Sequence, residues 1–339
     1  MADLDVHPQR PSRPETGRIG LSRIEPGTVA VLDRLARWDT TSVATIRSSY
    51  AAVAGPPTPP DPRVTRTDAV VPGADGRADV AVRWYRPADR DGALPCLVWL
   101  HGGGYIMGNL DENDDRLDRL VLEVGCAVVS VDWRLAPEHP YPAGLDDAET
   151  VWFALVADPA GYDVDPARLV VGGASAGAGV AAALCLRLRE TGAEQPVLQL
   201  LIYPMLDDRE ETPSIRAIVD GPAHPGLWHI EAQRHAWAAY LGDLAGGDVP
   251  ATAEPARAED LRGLAPAYVG VGDVDPYVDE DVDYALRLNR AGVPTELHVY
   301  PGVIHGGFGA PPRTPRTAQL LHDVYAALAL AVAPPSPGG

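Results

Sequence analysis

Lysine is absent from this 339-residue chain: all 28 basic side chains are arginine, set against 47 acidic ones. Schiff-base catalysis, pyridoxal phosphate chemistry, Ser-Lys hydrolysis and the P-loop each need a lysine amine, so all four are excluded. The formal net charge of −19 repels phosphate backbones and anionic lipid, which argues against nucleic acid and acidic membranes as partners. Cysteine is scarce. Cys96, Cys126 and Cys185 stand 30 and 59 residues apart with no C-x-x-C, so neither a zinc ribbon nor a disulfide framework is supported. Each lies among apolar neighbours and reads as a buried structural thiol. Long apolar runs are missing too: the longest, such as 326–333, fall well short of the ~18 residues a membrane span needs. Residues 1–20 are polar and rich in proline and arginine, without the apolar centre of a signal peptide, so the expectation is a soluble, cytoplasmic protein.

What is present is a 46% apolar composition, enough for a sizeable core. Residues 1–27 read as a flexible arm, and 28–62 as one or two amphipathic helices closed by the proline-rich linker GPPTPPDP. An alternating run at 80–85 predicts an antiparallel strand near a sheet edge. From residue 94, short apolar runs at 94–100, 127–133, 169–172, 198–203, 267–271 and 296–300 alternate with helical stretches. That rhythm predicts an α/β fold, a mostly parallel sheet with helices on both faces. It divides into 63–204 and 251–333, separated at 205–250 by an insertion with a helical pattern over 227–241, expected to form a cap with the N-terminal helices. Residues 334–339 read as a frayed tail.

Two motifs carry chemistry. Gly173-Ala174-Ser175-Ala176-Gly177 follows an apolar run and opens a helix of small residues, the setting of a serine on a strained strand-to-helix turn. At a helix N-terminus, unpaired N–H groups and the dipole favour developing negative charge. With nine serines and this glycine content, chance supplies about 0.09 such motifs, so alone it is only suggestive. His101-Gly102-Gly103-Gly104-Tyr105, directly after the 94–100 strand, is rarer, at about 0.009 by chance. Consecutive glycines let two backbone N–H groups converge on one point, where they can hold a carbonyl oxygen as it becomes an oxyanion.

Together with Trp133-Arg134-Leu135-Ala136-Pro137-Glu138, Asp275-Pro276-Tyr277-Val278-Asp279-Glu280 and Tyr300-Pro301-Gly302-Val303-Ile304-His305-Gly306, these motifs resemble the hormone-sensitive-lipase-like (bacterial family IV) branch of the α/β-hydrolase esterases. The resemblance covers roughly 28–330 and implies a serine carboxylic-ester hydrolase acting on small to medium acyl esters, with Ser175 as nucleophile, His305 as base and Asp275 as the acid that orients it. Chain order Ser…Asp…His agrees. Asp273, Asp279, Glu280 and Asp281 compete for the acid role, but the Asp of the D-P-x-x-D-E stretch maps to Asp275. The oxyanion donors would be the N–H groups of Gly103, Gly104 and Ala176, and Tyr105, Trp228 and Trp237 would line an apolar pocket. No cofactor or metal is called for. Glu231 and His235 are spaced i, i+4 but have no completing ligands, so a solvated helix face is expected there. His101 reads as a structural residue of the glycine loop. Relatives in this branch are often dimers, so a homodimer is implied by resemblance alone. Four positions depart from the pattern: Ala174 where relatives often carry an acid or threonine, Ala178-Gly179 for Gly-Asn, and Trp133 for tyrosine. The competing readings on the same fold are a non-hydrolytic binder, as in plant gibberellin receptors, and an acyltransferase or cyclase. A binder would lack a base or acid, and here all three candidates are present.

Overall fold

The structure, a computed structural model, describes residues 23–32, 38–53, 57–74, 76–219, 228, 230–308 and 314–334. The arm to residue 22, the 220–227 part of the expected cap and the tail beyond 334 lie outside the described residues. Eight strands run β1 (Val64–Val71), β2 (Val80–Pro87), β3 (Leu94–Leu100), β4 (Ala127–Val131), β5 (Val164–Ala174), β6 (Leu198–Ile202), β7 (Ala267–Gly272) and β8 (Thr295–Tyr300). They form one sheet in the order β1-β2-β4-β3-β5-β6-β7-β8. The β1–β2 and β2–β4 pairs are antiparallel and every other pair is parallel.

The helices are α1 (Pro26–Leu32), α2 (Val43–Val53), α3 (Asp114–Val124), α4 (Ala143–Ala157), α5 (Ala176–Glu190), α6 (Pro213–Val219), α7 (Ile230–Leu241), α8 (Val278–Arg290) and α9 (Pro315–Ala331). One face of the sheet is covered by α4, α5 and α8, the other by α3 and α9, giving two apolar cores. The helix α5 is buried on every side as far as Leu186 because it is wedged between the sheet and α4, and its glycines and alanines permit that closeness. All three cysteines are buried and free. Among the described residues no helix is long and apolar enough to cross a membrane.

Two elements, β1 and α6, carry no clear sequence pattern. Strand β1 buries only its end residues Val64 and Val71, so the alternation that marks a half-buried strand is missing. Its hold on the sheet is partly ionic: Arg66, nearly buried, pairs with Asp114 and Asp118 of α3, each at 2.6 Å. Helix α6 is one short piece started by Pro213 within the proline-rich interval. Helix α9 did leave a signal, since Thr314 and Thr317 form a reciprocal cap around Pro315. The expected arm also ends early. Ile24 is buried, α1 begins at Pro26, and the Glu25 N–H donates to the Gly302 carbonyl in the loop that follows β8.

Candidate active site

Strand register brings the two glycine motifs together. Leu100 lies opposite Gly173 in the parallel β3–β5 pair, so the His101–Gly104 loop and the Ser175 turn leave the sheet side by side. Ser175 has φ 57° and ψ −123°, strained for a residue with a side chain. The turn is held by its neighbours: the Ser175 N–H donates to Ile202 O, and Ser175 O accepts from Gly179 N–H and Met205 N–H. Glycine is needed at 177 because a Cβ there would fall 2.1 Å from Leu100 O, and at 179 because it would meet Met205 O and the Tyr105 hydroxyl.

Strands β7 and β8 end at the same edge, and the loops after them carry Asp275 and His305. Ser175 Oγ lies 2.8 Å from His305 Nε2, and His305 Nδ1 lies 2.9 Å from Asp275 Oδ2. Asp275 is fully buried, and its other oxygen accepts the Tyr277 backbone N–H at 3.0 Å. The competing carboxylates have other partners. Asp273 accepts from Gly302 N–H and pairs with Arg23, Asp279 accepts from Ser214 N–H, and Glu280 accepts from Leu206 N–H. Asp281 is buried, and neither of its side-chain oxygens has a hydrogen-bond partner among the described residues. The His305 imidazole packs in T-shaped contact with Tyr203 and with Tyr277, each 4.9 Å away between centroids. Sequence reasoning did not single out either tyrosine, because an aromatic in a loop carries no periodic signal.

Gly103 and Gly104 adopt φ of 116° and 59°, which glycine takes without strain. Met107 N–H and Ile106 N–H both donate to Gly103 O, fixing the loop. Among the described residues no acceptor takes up the N–H groups of Gly103, Gly104 or Ala176. A serine hydroxyl hydrogen-bonded to an imidazole, which is hydrogen-bonded to a carboxylate, beside free N–H donors, is equipped for attack on a carbonyl carbon.

His101 is buried. Its Nδ1 lies 2.8 Å from Gly102 O, and its ring stacks on Trp133 at 5.1 Å. Burial holds its pKa down to about 4, so the ring is neutral and its Nδ1–H donates to that carbonyl. The unfolded chain takes up this proton near pH 6.5, the folded chain only near 4, so stability is lost as pH falls through that window. The expected loss is on the order of 3 kcal/mol for this group. Melting curves of wild type and His101→Asn should show the smaller loss in the variant between pH 7 and 4.5, and equal losses would contradict the assignment.

The three expected pocket residues divide. Tyr105 is buried in the core, with its hydroxyl on Met205 O and its ring stacked on Tyr240 at 3.9 Å, and Trp237 packs buried beside both. In this arrangement both pack with Tyr240 and seat α7 on the domain. Trp228 is different: its indole lies on Gly104. Glu231 pairs with Arg234, as a solvated helix face does. Asp207, Asp208 and Glu254 cluster closely enough for a cation, but Arg209 and Arg257 already pair with them.

A serine on a strand-to-helix turn at the carboxyl edge of a mostly parallel sheet defines an α/β hydrolase, and the family model described as alpha/beta hydrolase fold matches residues 97–309. The chain belongs to that family, in its hormone-sensitive-lipase-like carboxylesterase branch. It is similar to esterase LipI of Mycobacterium tuberculosis, 34% identical over 275 residues that cover 80% of this chain and 84% of the relative. It is also similar to an ethyl acetate hydrolase of Pseudomonas putida, 36% identical over 267 residues, 76% of this chain and 79% of the relative. Among solved structures, a bacterial heroin esterase superposes with a TM-score of 0.84 at 33% identity, covering 93% of this chain and 99% of that one.

Proposed function

We propose that this carboxylesterase hydrolyses small to medium acyl esters through an acyl-enzyme on Ser175. The observation that carries the reading is the continuous Ser175–His305–Asp275 hydrogen-bond relay at 2.8 and 2.9 Å. His305 Nε2 takes the Ser175 proton as Oγ attacks the ester carbonyl, and Asp275 fixes the tautomer and supports the imidazolium. The N–H groups of Gly103, Gly104 and Ala176 hold the oxyanion. The imidazolium then protonates the departing alkoxide, and water activated by the same ring frees the acid. Relatives named as esterases and an ethyl acetate hydrolase support an ester as the substrate class. The test is a fluorophosphonate probe with p-nitrophenyl acetate: stoichiometric labelling at Ser175 that abolishes turnover is expected, and turnover that survives full labelling would refute the reading.

The N-terminal helices are part of this apparatus. Arg47 of α2 donates to Ile106 O at 2.6 Å and Ala136 O at 2.8 Å, and pairs with Glu138 through both nitrogens. It thereby anchors the segment that follows the glycine loop. Arg47→Met is expected to lower kcat/KM by about tenfold or more, since small misplacements of catalytic donors are costly. Arg47→Lys should restore little, because an ammonium cannot reproduce the planar fork. Parallel melting curves separate this from unfolding.

A further inference from the structure

Trp228 stands where three parts of the molecule meet. A Cβ built on Gly104 would fall 2.4 Å from the far edge of its six-membered ring, so the indole is seated directly on the glycine loop. Its ring meets Trp38 edge-on at 6.4 Å, and Trp38 meets Tyr50 of α2. Its Nε1–H donates to the Tyr277 hydroxyl at 2.7 Å. Tyr277 is fully buried, gives its backbone N–H to Asp275 and packs its ring at a steep angle against His305. An indole resting on one loop and pinned at its nitrogen to another cannot swing aside without giving up a hydrogen bond.

The position selects which end of an ester it meets. The alkoxide must leave on the side of His305 Nε2, which returns the proton to it. An indole seated on Gly104, one of the oxyanion donors, would then meet the substituent that stays on the carbonyl carbon, the acyl chain. We infer that Trp228 is the specificity-determining residue for acyl length, closing the space beside Gly104 to chains longer than a few carbons, and that Tyr277 is the positioning residue that holds it there. This rests on the reading of the site as an ester hydrolase.

The experiment compares kcat/KM for p-nitrophenyl acetate and octanoate in wild type, Trp228→Ala and Tyr277→Phe. Each methylene newly sheltered from water contributes about fourfold. The octanoate-to-acetate ratio should therefore rise about tenfold or more in Trp228→Ala. In Tyr277→Phe, where the ring stays and only the pin is lost, it should rise by about threefold. A ratio unmoved in both variants overturns the inference. So does a shift confined to a matched series of acetate esters of n-alkanols, since that would place the indole on the alcohol side. If melting shows that Trp228→Ala does not fold, Tyr277→Phe decides alone by the same ratio. Wild type that neither turns over acetate nor labels with fluorophosphonate refutes the ester-hydrolase reading instead. Wild type that does both, with unmoved ratios in the variants, rejects only the role of Trp228.

Discussion

Ser175→Ala is expected to lower kcat for p-nitrophenyl acetate by about 10⁶ while leaving the melting temperature close to wild type. The two halves of this result have separate causes. Activity goes because the only atom removed is the Oγ that lies 2.8 Å from His305 Nε2, and no neighbour can replace it as nucleophile. Stability stays because the strained backbone at φ 57° already carries a Cβ, and alanine adds no new clash. The turn itself is held by backbone bonds to Ile202, Gly179 and Met205, which do not involve the hydroxyl. Residual turnover would reflect the N–H donors and substrate binding alone. A variant retaining more than about a hundredth of wild-type kcat would remove Ser175 from the mechanism.

Asp275→Asn should lower kcat by about 10⁴. The change is isosteric in a fully buried site, so the fold is expected to survive it. One side-chain oxygen must still accept the Tyr277 N–H, and that leaves the amide NH2 facing His305 Nδ1. An amide donor there forces the imidazole to carry its proton on Nε2, where it cannot accept from Ser175. Asp273→Asn is the matched control: Asp273 serves Gly302 and Arg23, not the imidazole, so kcat should change only a few-fold. Equal losses in the two variants would show that the acid has been wrongly assigned.

Much of this site is legible in the sequence. The strand over 94–100 falls where the apolar pattern places it and the helix of small residues opens directly after Ser175, because buried parallel strands and a helix of small residues leave strong local signals. The glycine loop and the serine turn are equally local, since backbone conformations open to few residues write themselves into the sequence. Tyr105 and Trp237 show the opposite case. An aromatic following a glycine loop, or sitting on a cap helix, has the same local pattern whether it faces a ligand or the core. Only packing shows that Tyr105 is stacked on Tyr240 and bonded to Met205.

By itself, then, the sequence determined the class of fold, the alternation of strands and helices from residue 94 and the serine and glycine motifs of the site, since each follows from residue type and neighbours in the chain. The tertiary structure decided which carboxylate faces the imidazole and which aromatic roofs the glycine loop. It also decided that an arginine of the N-terminal helices anchors that loop. These contacts join residues as far apart as Arg47 and Ala136, or Trp228 and Tyr277. Their distances depend on how helices and loops settle against a shared sheet, and no local propensity encodes that.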